Sequence, residues 1–270
     1  MKISPVSNLW DCFTIVVEFY GGNIVDKKIK QFVTDMRNLG IKPDDTLLVH
    51  SSLKSFGWIE GGADTVVKAL IKSLPEGTLM MPSLSWEALD SDSPSFSVLN
   101  TPSCIGIVPE TFRKYPGVCR SINPSHSVCA YGKNAEKITS LHHIDRTPVG
   151  KNSPFRLLVT YRGKIMMLGC GLEPNTFMHG VEEAANLTYV LEDKPTRIVI
   201  EDYSGNESES LYYLHNFRGI LQRYDRVAEC CDLKRGKILD ADVFVMDAFD
   251  LWVTASNKIS KEPWFFVDRQ

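Results

Sequence analysis

No CxxC pair, HExxH, GxGxxG or GKS/GKT stretch occurs anywhere in the 270 residues. Those absences remove zinc ribbons, HExxH metallopeptidases, dinucleotide fingerprints and P-loops from consideration. The seven cysteines, at positions 12, 104, 119, 129, 170, 230 and 231, are odd in number, so no disulfide framework is suggested and reduced thiols are expected. Basic blocks are missing and the formal net charge is −3, which argues against nucleic acid as a partner. Long apolar runs are missing too. The most apolar early stretch, residues 13–17 with Phe19 and Tyr20, is short, holds Glu18 and lacks a basic n-region. The expectation is therefore a soluble, cytoplasmic protein with no membrane partner. There is no internal repeat, no low-complexity tract and no Gly/Ser/Pro linker between free domains. Apolar residues, at 43%, are enough for a sizeable core.

The apolar pattern is that of an α/β chain. Residues 26–39 (DKKIKQFVTDMRNL) put Ile29, Phe32, Val33 and Met36 at helical spacing, and Gly40 stops the helix. Residues 46–49 (TLLV) read as a buried strand. Residues 63–74 (ADTVVKALIKSL) repeat the helical spacing, and a second strand opens at 78–81. Strand, loop, helix and strand in that order predict a mostly parallel central sheet flanked by helices. Residues 108–115 read as a helix, and 126–131 and 164–169 as further strands. Residues 83–103, rich in Ser, Pro and Asp, read as a long irregular loop. Beyond about residue 190, strands at 196–201 and 242–247 around a helix at 209–225 suggest a smaller C-terminal α+β portion. The adjacent His142 and His143 read as a surface loop. Trp58 and Trp86 read as core residues flanking a cleft.

His179 is the first candidate for chemistry. In LGCGLEPNTFMHGVEEAAN (residues 168–186) an apolar run breaks at glycine and proline, and a helix follows. Glu182 and Glu183 lie three and four positions on and can share a helix face with the imidazole. Imidazole titrates near 6.5, so one oriented by a carboxylate is a natural general base. A capping or packing histidine is the competing reading. Three potential ligands do not make a metal site here, and no metal is expected. A second candidate is VHSSLKSFGWIEGG (residues 49–62). Its glycines permit tight turns, and a helix N-terminus beyond it favours anionic groups.

Five segments taken in order carry a resemblance. They are GIKPDDTLLVHSSLKSFGWIEGGADTVVKAL, PEGTLMMPSLSW, GIVPETFRKYPGVCRSINPSHSVCAYGKNA, GKNSPFRLL and LGCGLEPNTFMHGVEEA. From about residue 36 to 190 the chain resembles the aminoglycoside 3-N-acetyltransferase family, which uses acetyl-coenzyme A. The resemblance implies a single acetyltransferase domain over 1–270, with a cofactor-binding and catalytic core at 26–190 and an acceptor-side portion at 191–270. It implies that coenzyme A meets His50, Ser51, Ser52, Leu53, Lys54, Gly57, Gly61 and Gly62. Arg120, Ser121, His126, Ser127 and Val128 match a cofactor-side signature, and Ser153 belongs to a matching Ser-Pro pair. His179 matches the catalytic histidine and Glu182 the glutamate three residues on.

One departure bears on the acceptor, a small amino sugar. Aminoglycoside-modifying members carry carboxylates after the catalytic helix. Here residues 208–227 hold Glu209 and Asp225, but also His215, Arg218, Arg223 and Arg226. Arginines suit phosphate or carboxylate. A nucleotide-linked amino sugar is therefore the expected acceptor, with Trp86, Glu183, His215 and Arg218 beside it. An aminoglycoside, or an idle coenzyme A-binding protein, are the alternatives. Oxyanion donors are sought in the backbone N–H groups of residues 51–52 or 61–62. A homodimer is left open.

Overall fold

The computed structural model describes residues 9–270, with side chains from residue 24 onward. Cys12 and the apolar stretch at 13–17 lie outside the described side chains. Among the described residues, no helix is long and apolar enough to cross a membrane.

The chain begins with α1 (Leu9–Asn38), β1 (Thr46–Ser51), α2 (Gly62–Ser73) and β2 (Thr78–Pro82). It continues through β3 (Ser95–Ser97), α3 (Ile107–Arg113), β4 (Cys119–Arg120), β5 (Val128–Gly132) and α4 (Ala135–Thr139). Next come α5 (Pro154–Thr160), β6 (Lys164–Leu168), α6 (Phe177–Ala184), β7 (Thr196–Glu201), β8 (Glu207–Tyr212) and β9 (Ile220–Gln222). Last are β10 (Lys234–Ile238), β11 (Ala241–Asp247), α7 (Ala248–Lys261) and β12 (Val267–Arg269).

The central sheet has seven strands in the order β10-β11-β6-β1-β2-β5-β4. β6, β1 and β2 are parallel neighbours, whereas β11 and β5 pair antiparallel to theirs. β10 and β4 turn back once more. Five strands thus share one direction and two oppose it, which fits the expected mostly parallel α/β sheet. Side-chain alternation builds a core on each face. Leu47, Val49, Leu79, Met81, Met166 and Leu168 pack with Phe32, Met36, Val66 and Leu70 of α1 and α2. Leu48, Met80, Ile165 and Met167 pack on the other face with Phe155, Phe177, Val181 and Leu251 of α5, α6 and α7. Each such side chain contributes roughly 1.5–3 kcal/mol by leaving water.

Two expectations about the later chain are corrected. Residues 209–225 are not a helix. They run through β8, a loop with Gly219 at φ 69°, β9 and a 3₁₀ turn (Tyr224–Glu229). ESESLY alternates, and five of its six side chains point into or near solvent, as on an edge strand. β8 joins β7 and β3 in a small three-stranded sheet, so the 83–103 loop is not wholly irregular. The C-terminal portion is also less separate than expected, because β10 and β11 return to complete the main sheet.

Candidate active site

Parallel strands β1 and β6 end side by side, and their loops meet at one edge of the sheet. β1 delivers His50 and Ser51. β6 leads through Gly169 into the loop before α6. Gly169 holds φ at 72°, and a Cβ there would collide with the Ser55 hydroxyl, so glycine is required for the two loops to touch. His50 Nε2 then accepts the backbone N–H of Thr176 at 3.1 Å, tying β1 to the entry of α6. That bond places the His50 proton on Nδ1, which is buried without a partner among the described residues. Burial, with His179 adding to it, holds the His50 pKa down at about 3, so the ring is neutral.

A cavity of about 280 Å³ opens over this junction. Its walls include His50, Ser51, Trp86, His126, Glu173, His179, Phe217 and Tyr224, and among the described lining residues no lysine or arginine occurs. His179 sits in the first turn of α6 with its side chain 12% exposed. Its Nδ1 lies 2.8 Å from the Tyr224 hydroxyl, which donates to Glu182 Oε2 at 2.6 Å. Glu182 Oε1 accepts from Tyr189 at 3.1 Å. Burial, followed by the charge of Glu182, pushes the Tyr224 pKa up, so this hydroxyl keeps its proton. With that O–H directed at Glu182, the Tyr224 oxygen accepts from His179 Nδ1–H. His179 Nε2 is left with a lone pair. The direct His179–Glu182 separation of 3.7 Å is too long for a hydrogen bond, so the carboxylate reaches the ring through the tyrosine.

Two more histidines pack here, edge-to-face or tilted. The His126, His179 and His215 ring centroids are 4.3 to 5.4 Å apart. His215 Nε2 lies 2.8 Å from Glu183 Oε1, and that carboxylate also accepts the Val149 N–H at 2.7 Å. Burial depresses the pKa of both His126 and His215 and raises that of Glu183.

The expected residues divide. His50, Ser51, Trp86, His126 and His179 line the cavity, with Glu182, Glu183 and His215 directly behind it. Ser52, Leu53, Lys54, Gly57, Gly61 and Gly62 follow Ser51 on the adjoining loop, with Gly61 and Gly62 at φ of 76° and 55°. The Ser52 and Gly62 N–H groups are already bonded to Leu168 and Ile59 carbonyls, so neither serves as an oxyanion donor. The Ser51 hydroxyl, by contrast, is buried on the cavity wall without a partner among the described residues.

Arg120, Ser121, Ser127, Val128 and Ser153 do not line this cavity. Arg120 is buried, bonded to Ser127 Oγ and to the carbonyls of Ser83, Val98 and Thr101, with its guanidinium over Phe96. Ser121 bonds His142, Val128 is core, and Ser153 caps α5. His142 is therefore interior, not surface: it bridges Ser121 and the Pro148 carbonyl. Trp58 is 91% and Trp86 42% exposed, so neither is a core residue. Tyr224, Tyr189 and Phe217 were missed, because nothing local marks them as neighbours of His179.

The charge argument for a nucleotide-linked acceptor also fails. Arg223 pairs with Asp225 and Asp268, and Arg226 with Asp268. The Arg218 side chain is 89% exposed and near Glu192. These cations are offset by carboxylates and none lines the cavity.

A family model described as aminoglycoside 3-N-acetyltransferase matches residues 48–260. The chain is 34% identical over 177 residues to the prophage-derived aminoglycoside N(3')-acetyltransferase-like protein YokD of Bacillus subtilis, covering 57% of this chain and just under two thirds (65%) of that relative. It is 30% identical over 246 residues to aminoglycoside N(3)-acetyltransferase III of Pseudomonas aeruginosa, covering 79% and 86%. Among solved structures, a mutant of aminoglycoside acetyltransferase AAC(3)-IVa in complex with gentamicin superposes with a TM-score of 0.74 at 27% identity, covering 88% and 90%.

Proposed function

The chain belongs to the aminoglycoside 3-N-acetyltransferase family, acyltransferases that draw on acetyl-coenzyme A, and from that premise we propose that it acetylates an amino group of an aminoglycoside-type amino sugar with His179 as general base. The observation that carries this reading is the chain His179 Nδ1–Tyr224–Glu182, which leaves the opposite nitrogen free at a cavity wall.

Acetyl transfer needs an unprotonated amine, stabilisation of the developing oxyanion, and alignment of both reactants. His179 Nε2 takes the proton as the amine nitrogen attacks the thioester carbonyl. The carbon–sulfur bond breaks, and the proton can pass on to the departing thiolate. The Glu182 carboxylate steadies the imidazolium through Tyr224. The Ser51 hydroxyl and the Nδ1–H of His50, both unpartnered, are the donors for the oxyanion. Coenzyme A is assigned to the loop that starts at Ser51, where Lys54 and Trp58 are exposed. No cysteine is needed as nucleophile.

An aminoglycoside replaces the nucleotide-linked sugar as acceptor. The described cavity walls carry Glu173 and no fixed cation, which suits an ammonium-rich ligand. Its similarity to aminoglycoside acetyltransferases points the same way. The test is release of coenzyme A thiol across a panel of aminoglycosides and nucleotide amino sugars, with His179→Ala alongside. Activity on the nucleotide sugars alone defeats the acceptor assignment. Undiminished turnover by the variant defeats the base. Turnover on neither class by the parent protein favours an idle coenzyme A-binding homologue.

A further inference from the structure

We propose that His126, His179 and His215 together form a binding site for a zinc-class divalent cation, and that filling it blocks the active site. One ring nitrogen from each of the three lies within 4.8 Å of those from the other two. The second nitrogen of each ring is already held from behind. His126 Nδ1 is 3.0 Å from Ser125 Oγ, His179 Nδ1 is 2.8 Å from Tyr224 and His215 Nε2 is 2.8 Å from Glu183. Metal-bound histidines have this arrangement, with the distal nitrogen oriented by an oxygen. What remains is Nε2 of His126, Nε2 of His179 and Nδ1 of His215. The last is buried and has no partner among the described residues. An orphaned imidazole nitrogen beside two others is poor packing chemistry and good ligand chemistry.

The donor set specifies the cation. Three imidazoles without a carboxylate ligand suit Zn²⁺, Co²⁺, Ni²⁺ or Cu²⁺ and do not suit Mg²⁺ or Ca²⁺. Metal–nitrogen bonds of ~2.0–2.1 Å in a tetrahedron put the nitrogens roughly 3.3 Å apart, so the rings draw in by about 1.5 Å at most. His126 and His179 also line the cavity, which leaves the fourth position open to it.

The cation would take the His179 lone pair that acetyl transfer uses. The inhibitory half of the proposal therefore rests on the general-base reading, whereas the binding half does not. Binding is read first, with Co²⁺ titrated into metal-free protein and followed by visible ligand-field absorption, then displaced by Zn²⁺. One site per chain is expected. His126→Asn and His215→Asn are each expected to abolish the bands, and Glu183→Gln to weaken binding about 10–100-fold. Thermal melts confirm that each variant is folded. Absence of saturable uptake, or bands unchanged in the folded histidine variants, overturns the site. Zn²⁺ is then added to the acetyltransferase assay. Inhibition reversed by a chelator supports the whole proposal. Binding without inhibition refutes the blockade and points away from His179 as base, while the site itself stands.

Discussion

Nδ1 of His179 lies 2.8 Å from the hydroxyl of Tyr224, a residue 45 positions further along the chain. The phenol occupies the place where a carboxylate would ordinarily touch the ring. Its own proton goes to Glu182. Orientation of the imidazole thus depends on a group that carries no charge of its own.

Tyr224→Phe removes that link without changing the shape of the site. Turnover is expected to fall about 10–100-fold, the worth of one hydrogen bond to a charged group, with little change in KM. Steady-state kinetics measure it. A variant with unchanged turnover disproves the relay.

Ser51→Ala tests the oxyanion assignment. Loss of one preorganised donor is expected to lower turnover by roughly 10²-fold or more while thermal stability holds, because the hydroxyl has no partner to lose among the described residues. A stability loss with intact turnover assigns Ser51 to the scaffold.

Arg120 separates a structural role from a cofactor role. Burial lowers its pKa to about 10, so it stays charged at neutral pH, and its bonds run to interior oxygens. Arg120→Met is expected to destabilise the fold by about 3 kcal/mol or more, since several acceptors lose a charged donor. Urea unfolding measures this. A folded variant of unchanged stability with a raised KM for acetyl-coenzyme A restores the cofactor role that the family resemblance implies.

Acid sensitivity follows from the buried imidazoles. Burial holds His50 and His142 down at about 3, against 6.5 for a free imidazole. The unfolded chain therefore binds these protons first. Stability is complete above about pH 6.5 and falls as the pH drops towards 3, by roughly 1.4 kcal/mol per pH unit for each histidine. His142→Gln, away from the cavity, is expected to reduce the slope of unfolding free energy against pH by about one proton between pH 6 and 4. An identical slope in the variant rules this out.

Local pattern carried much of the fold. Thr78–Pro82 and Lys164–Leu168 fall where the apolar runs place them, and Gly62–Ser73 is displaced by one residue from the helix read at 63–74. These elements obey a period that the sequence displays directly. The helix expected at 209–225 failed because an edge strand with polar faces looks much like an exposed helix in composition. His179 and the two glutamates were legible since they share one turn. Tyr224 was not, because only tertiary packing brings it to them. For Arg226 a related reason holds: its carboxylate partner Asp268 is more than 40 positions away, whereas Arg223 shares Asp268 with the nearby Asp225.

β11 lies against β6, the strand whose outgoing loop leads into α6 and His179, and the Asp242 carbonyl accepts the N–H of Gly169 in that loop. Late-synthesised residues therefore brace the earlier segment that leads to His179. During translation the cavity at His179 lacks this brace until nearly the whole polypeptide has left the ribosome, and a premature stop before residue 241 leaves β6 with a bare edge open to aggregation.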